Sequence, residues 1–430
     1  MSDRQPPELW AITLERSKSA PLDVYLQRGS QDFMEILHPR VQRIRSLECR
    51  VRVEKDQRTG AIRTSPNFSR SSPILETLRL ENEGKKDLPA ETKLDILPEN
   101  ATSLRVLCLR HIPLTNQLLR LTTLISLELC QYSVDLTTLL DFLAANEGLR
   151  TLRVTCRKPP TQAPHRVVSL GRIHLVELSS VVVRPLLAAL RIPPTADVSI
   201  QVLPGGSSYT PLHEVLPSSL DGLPVLTQTA SLQYGVTETL GQVVSGSSPD
   251  RGTFNIQGVF NQSFPTDFRP LNVSGVRELC LSGAQAVPSL LLGEADYTAL
   301  QILFSRMIQL DTLVLARQSA VERILSTIDA GMLLPRLSTL AITPLPHAAV
   351  DPLVQLAYRR RNNSHTSDLS CLEVQFFEHK SSSEITRALR RLEAVVPSVN
   401  VRMISWFSNI RFESVRKGLL PNGLFNEIPP

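Results

Sequence analysis

The chain has 430 residues, 42% hydrophobic and 20% charged, a length and composition that fit two or three average domains or one long repeat array and exclude a disordered chain. Its 46 basic and 41 acidic residues leave a net charge of +5, spread along the chain with Arg359-Arg360-Arg361 as the longest basic run. That spread argues against nucleic acid as a partner, which calls for a concentrated basic face. Six cysteines without a CxxC pair point to reduced thiols rather than a disulfide framework. There is no basic-then-apolar leader, and the best apolar run, Val176 to Leu190, is interrupted by Glu177 and Arg184. A cytoplasmic or nuclear protein without a membrane partner is therefore expected.

In chain order, Trp10 and the alternating Leu22-Val24-Leu26 strand come first and are expected to cover the exposed end of a stacked repeat array, as a capping region over 1–55. One short pattern, apolar-x-x-apolar-x-apolar, then recurs. It is weak at Ile44-x-x-Leu47-x-Cys49 and clear at Leu75-x-x-Leu78-x-Leu80, Leu104-x-x-Leu107-x-Leu109, Leu124-x-x-Leu127-x-Leu129, Leu149-x-x-Leu152-x-Val154 and Ile173-x-x-Val176-x-Leu178. It resumes at Val276-x-x-Leu279-x-Leu281, Leu310-x-x-Leu313-x-Leu315, Leu337-x-x-Leu340-x-Ile342 and Leu369-x-x-Leu372-x-Val374. Within these two series the second apolar position advances by 20 to 34 residues, irregular and somewhat long for leucine-rich repeats. Each copy reads as a short strand whose leucines point inward, and one unit cannot bury that face without neighbours.

The segments between strands suit a helical return. Asp135 caps a predicted helix with Leu136, Leu139, Leu140 and Leu143 on one face, ending near Asn146 and Gly148. Asp296 is placed as the cap of a helix carrying Leu300, Leu303, Phe304 and Met307. Asp351-Pro352 is read as cap and first helical position, and a further helix runs from Glu384 through Ile385, Ala388, Leu389 and Leu392 to Val396. Over 200–270 the repeat lapses into turn clusters separating strand-like pieces at 229–234, 241–244 and 253–257. The expected fold is α/β: a leucine-rich-repeat-like solenoid, or horseshoe, of irregular repeats with a β-rich divergent middle. It forms a single domain over 1–430, closed by a C-terminal cap over 380–430. Unrelated doubly wound domains are the rival, which lacks a glycine-rich strand-to-helix turn.

Catalytic signatures are missing from the sequence. Gly84-Lys85-Lys86 lacks the other elements of a phosphate-binding loop, no G-x-S-x-G elbow occurs, and none of the eight histidines pairs with another His, Cys or carboxylate at ligand spacing. No enzyme activity, cofactor or metal is expected. The remaining candidates are the central outward positions of the strands, on the concave face of a horseshoe. Arg79, Glu128, Arg153, Glu177 and Glu373 are the charged ones and the candidate partner-binding residues; Cys108, Cys280, Val314 and Ala341 are the small or apolar ones.

The strings PELWAITLERSKSAPLDVYL, RVQRIRSLECRV, ILETLRL, SLRVLCLRHIPL, LTTLISLEL and LLDFLAANEGLRTL resemble the F-box/leucine-rich-repeat proteins of mushroom-forming fungi. So do AALRIPPTADVSIQ, LPGG, VRELCLSG, LLPRLSTLAI and LSCLEV, and the likeness runs from about residue 7 to 400. In that family an F-box precedes a phrase like Pro7-Glu8-Leu9-Trp10, binds the Skp adaptor of a cullin-RING ubiquitin ligase, and leaves the repeats to hold the substrate. The resemblance implies a substrate-recognition role with a protein substrate as partner. Six residues precede Pro7, too few for an F-box, so the Skp adaptor and cullin are expected partners only with an upstream F-box. The alternative is a stand-alone leucine-rich-repeat scaffold that has lost its ubiquitin-ligase link.

Overall fold

The computed structural model of the protein describes residues 2, 4–27, 33, 36–55, 62–65, 73–84, 101–114, 118–131, 134–158, 166–180, 183–203, 212–237, 241–258, 271–282, 294–316, 321–377 and 382–404. They group into two compact units, Met1–Leu310 and Asp311–Pro430.

The first unit opens with α1 (Pro7–Arg16), a helix that the repeat pattern does not announce. Pro7 sits at its first position, Glu8 in its first turn and Arg16 in its last, each complementing the helix ends. Trp10 and Leu14, one turn apart, are fully buried. The Trp10 indole lies edge-on to the Phe33 ring at 4.6 Å and donates to the Ser2 carbonyl at 2.8 Å. Ser2 in turn bridges Tyr25 on β1 (Leu22–Leu26).

Beyond β1 come β2 (Ile44–Lys55), whose far end pairs antiparallel with β3 (Ile62–Ser65), and then β4 (Thr77–Asn82), β5 (Val106–Arg110) and β6 (Ser126–Gln131). Helix α2 (Leu136–Ala145) leads to β7 (Thr151–Cys156). A two-residue strand, β8 (Val168–Ser169), precedes β9 (Leu175–Ser180) and pairs with β10 (Leu190–Arg191), after which comes β11 (Asp197–Val202). The strands β1, β2, β4, β5, β6, β7, β9 and β11 pair in parallel, each with the next.

Register explains the recurring pattern. Leu47, Leu78, Leu107, Leu127, Leu152 and Val176 face one another across successive strands, and each is buried. The third apolar position forms a second buried row: Cys49, Leu80, Leu109, Leu129, Val154, Leu178. The first position, just ahead of each strand, adds Leu75, Leu104, Leu124, Leu149 and Ile173. Each such burial contributes about 1.5–3 kcal/mol, so the stacked rows are the principal source of cohesion. Asp135 caps α2 as expected, accepting from the Thr137 amide at 3.0 Å.

Where the leucine pattern lapses, the ladder continues with its strand order altered. Strands β12 (Ser231–Thr237), β13 (Gly241–Ser247) and β14 (Thr253–Gly258) form an antiparallel meander. Its last strand, β14, pairs in parallel with β11, and its first, β12, pairs in parallel with β15 (Glu278–Ser282). The spatial order is thus β11-β14-β13-β12-β15, with only β13 running against the rest. The core rows persist through Val198, Phe254 and Leu232 and through Ile200, Ile256, Val244 and Tyr234. The helix α3 (Glu294–Arg306) comes next, with Asp296 within its first turn rather than at the expected cap.

The second unit alternates strand and helix: β16 (Thr312–Ala316), α4 (Val321–Ala330), β17 (Thr339–Thr343), α5 (Val350–Arg361), β18 (Cys371–Phe377), α6 (Ser382–Glu393) and β19 (Ser398–Ile404). All four strands are parallel and in chain order, the arrangement that helical crossovers permit. Leu313, Leu340 and Leu372 form its fully buried row. Ala349 occupies the N-cap of α5 because the 3-10 turn His347–Ala349 runs straight into it, which moves Asp351 from the expected cap into the first turn. The expected cap over 380–430 is described only as far as residue 404.

The protein is therefore a mixed α/β chain in which parallel strand pairing dominates each unit. Among the described residues no helix is long and apolar enough to cross a membrane.

Candidate functional site

On each strand, side chains alternate between the buried leucine face and the opposite, outer face. The pairing register of the first unit places Glu48, Arg79, Cys108, Glu128, Arg153 and Glu177 side by side on that outer face, one each on β2, β4, β5, β6, β7 and β9. Adjacent members are about 4.8 Å apart, the strand spacing. Four of the five charged positions expected from the sequence therefore share one row, with Cys108 between Arg79 and Glu128. Glu373 lies in the second unit, in a separate row running Val314, Ala341, Glu373, Asn400.

The charges of this outer face are largely spent on one another. Arg153 Nε is 2.6 Å from Glu177 Oε2, Arg79 Nη1 is 3.6 Å from Glu48 Oε2, and Arg110 Nη2 donates to Glu128 Oε1 at 3.3 Å. One row over, Arg50 pairs with Glu81 at 3.4 Å. Sequence reasoning missed Glu48, Arg50, Glu81 and Arg110 because it took only the central outward position of each clear repeat. The partners lie two residues away on the same strands or on β2, whose repeat is the weak one. The Glu373 side chain, by contrast, makes no hydrogen bond or ion pair with a described residue.

Three small outward positions are not surface at all. Cys108, Val314 and Ala341 are buried. Burial pushes the Cys108 thiol up to about 12, with the adjacent Glu128 carboxylate adding to the effect and Arg110 opposing it. Such a thiol stays protonated at neutral pH and is a poor nucleophile. Cys280, at the far end of the same outer row, is likewise pushed up to about 12 by burial and by Glu278. Among the described residues, no group of His, Cys, Asp or Glu side chains is arranged to hold a metal ion.

Past Glu177 the outer row changes character. Its next members are Ser199 on β11, Asn255 on β14, Ser245 on β13 and Gln233 on β12, all uncharged and polar. The leucine pattern gives no signal here, since the residues three before Val198 and Phe254 are Thr195 and Arg251 rather than apolar. Only the register brings these four into line with the charged row. The outer face of the first unit is thus a charged, internally paired half followed by a neutral, hydrogen-bonding half. Such a surface can bind by contact and hydrogen bonding. No match to the chain is found among protein-family models or curated proteins.

Proposed function

We propose that the chain is a protein-interaction module of leucine-rich-repeat type, a horseshoe of irregular repeats that holds a partner on its outer strand face and does no chemistry itself. The observation that carries this reading is the chain-order parallel ladder: each leucine motif adds one residue to each buried row, and the intervening side chains line up on one continuous face. Trp10 and β1 cover one end of the array. The link to ubiquitin transfer draws on the sequence phrases alone, from PELWAITLERSKSAPLDVYL onward, and makes the chain the substrate-recognition part of an F-box-type receptor acting in the cytoplasm or nucleus. The second reading is a scaffold with the same surface and no ligase link.

Affinity purification of the gene product from its source cells, probed for the Skp adaptor and cullin, separates the two. Co-purification of both, with a bound protein whose ubiquitination falls when the gene is deleted, supports the receptor. A stable partner recovered without adaptor or cullin, and with unchanged half-life, supports the scaffold. A chain that binds no protein, and turns over a small molecule instead, ends both.

A further inference from the structure

The buried rows of the second unit stay closed until its last strand. Leu372 and Val374 on β18 are 0% and 1% exposed, and the pairing register carries their rows on to Val399 and Val401 of β19. There the rows open. Val399 is half-buried, Val401 is 36% exposed, and Leu389 of α6, the helix leading into β19, is half-buried too. One exposed valine on a surface is unremarkable. What marks Val401 is its place in a row whose other members, Ile342 and Leu315 included, are sealed. The starting end of the first unit is built differently. Its rows end on β1, yet Val24 and Leu26, in register with Leu47 and Cys49, are buried. Helix α1 adds the buried Trp10 and Leu14 at that end, and Ser2 joins it to β1 by accepting from the Trp10 indole and bridging Tyr25.

We infer that residues 405–420, which follow β19 directly, fold back over its core side and close the second unit as α1 closes the first. Three observations name that segment as the occupant. It carries Trp406, Phe407, Ile410, Phe412, Val415 and Leu419, large apolar groups of the kind that gain most from an open apolar row. It is tethered to the strand it covers, so docking costs the closure of a short loop rather than the association of a second molecule. It also has the reach: β19, with 7 residues, is about 23 Å long, and a helix over 405–420 spans about 24 Å. Pro421 and Gly423 then supply a stop. Helix α6 and β19 are thereby one more repeat of the array, and the cap expected over 380–430 begins only at residue 405. The inference concerns the end of the array and stands apart from the choice of partner.

The chain holds two tryptophans, Trp10 and Trp406, so Trp10→Phe leaves Trp406 as the single emitter. In that full-length chain we expect Trp406 emission that is blue-shifted, shielded from acrylamide and independent of protein concentration. Adding Val401→Asp, which puts a charge into the row, should red-shift the emission and raise quenching several-fold. Val401→Thr, close to valine in shape, should act in the same direction to a smaller extent, and it serves if the aspartate variant fails to fold. If Trp10→Phe itself fails to fold, trypsin gives the readout in the otherwise wild-type chain. Cleavage after Arg411, Arg416 and Lys417 should then be about tenfold faster with Val401→Asp than without it, as docking of the segment is lost. Emission from Trp406 like that of free tryptophan overturns the inference. So does shielding that neither Val401 variant changes, which places the segment elsewhere. Shielding that appears only as the protein dimerises at higher concentration also overturns it, and makes a second copy of the chain the occupant of the open end.

Discussion

Arg153 Nε and Glu177 Oε2 lie 2.6 Å apart across β7 and β9, so the two charges that the repeat pattern presents to a partner hold each other instead. Both side chains are close to half exposed. A pair in that setting contributes about 0.2–1 kcal/mol and is screened by salt. Arg153→Glu removes the pair and lines up acidic groups at positions 128, 153 and 177. We expect a stability loss of at most about 1 kcal/mol in urea titration, shrinking in high salt. A loss several times larger would place Arg153 in the core and undo the register described for β7.

Much of the fold was legible because one physical demand repeats. A strand that must bury one face against its neighbours writes leucine at fixed offsets, and Leu78, Leu107, Leu127 and Leu152 fall into a single buried row as that demand requires. Legibility stops where a different geometry meets the same demand. In β14 the core row is filled by Phe254, whose ring needs the space left by Gly246 on β13; no leucine offset records that exchange. The reversed order of the meander is equally silent in sequence, since pairing of β14 with β11 depends on contacts made far along the chain. Helix α1 escaped notice because Leu9 and Ile12 on its exposed side blur the apolar stripe formed by Trp10 and Leu14. At the site, single outward positions could be read off strand by strand. Whether their charges were free depended on residues of adjacent strands.

Asn146 is wholly buried just past α2 and ties that helix to the turn before β6. Its Oδ1 accepts from the Leu124 amide at 3.1 Å, while Nδ2 donates to the Leu121 and Phe142 carbonyls at 2.7 and 2.9 Å. Asn146→Ala strands three backbone groups, two of them buried. We expect a loss of about 2–4 kcal/mol by urea titration. Asn146→Asp keeps the acceptor but turns a carboxylate toward two carbonyls, so it should be at least as damaging at neutral pH. Wild-type stability in either variant would show that the turn satisfies itself.

In the second unit, Arg360 is the buried counterpart, 1% exposed. Its guanidinium donates to the carbonyls of Ser367, Leu333, Leu334, Pro335 and Leu337 at 3.0–3.3 Å. These acceptors belong chiefly to the turn in which Met332 and Leu334 hold φ of 46° and 55°, a left-handed backbone that non-glycine residues adopt only when held. Burial lowers the Arg360 pKa to about 10, so the charge persists at neutral pH. Arg360→Leu should cost about 3–5 kcal/mol, and Arg360→Lys should recover little, because an ammonium cannot span five carbonyls in a plane. Thermal melting of the three proteins checks the order. A lysine variant as stable as wild type would show that charge alone, without the fork geometry, holds the turn.

Cys108 gives the chain an alkaline dependence. A thiol whose folded-state pKa is raised contributes stability that is fully present below the unfolded value near pH 9 and is lost as pH climbs toward 12. The urea midpoint of the wild type should therefore fall steadily above pH 9, with a shallower fall in Cys108→Ala. In the folded protein at pH 8.5, Cys108 should resist alkylation and become labelled on unfolding. Rapid labelling of Cys108 in the folded chain would show a thiolate that Glu128 and burial do not suppress.

Gly246 tests the least regular part of the ladder. A Cβ at this position would lie 2.6 Å from Phe254 Cε1 and 2.7 Å from the Ser231 carbonyl oxygen, so neither the ring nor the backbone leaves room for it. Gly246→Ala should lower stability by about 1–3 kcal/mol, the usual range for overpacking a core. Phe254→Leu removes the ring and on its own leaves a cavity, which is also destabilising. Combined, the two changes should cost less than the sum of the singles, because the added methyl enters part of the vacated space. The contact with Ser231 remains, so recovery stays incomplete. A double-mutant cycle with a favourable coupling of about 0.5–2 kcal/mol is the expected outcome for residues in direct contact. Strict additivity would mean that β13 and β14 do not pair through Gly246 and Phe254, and the reversed order of the meander would fall with that pairing.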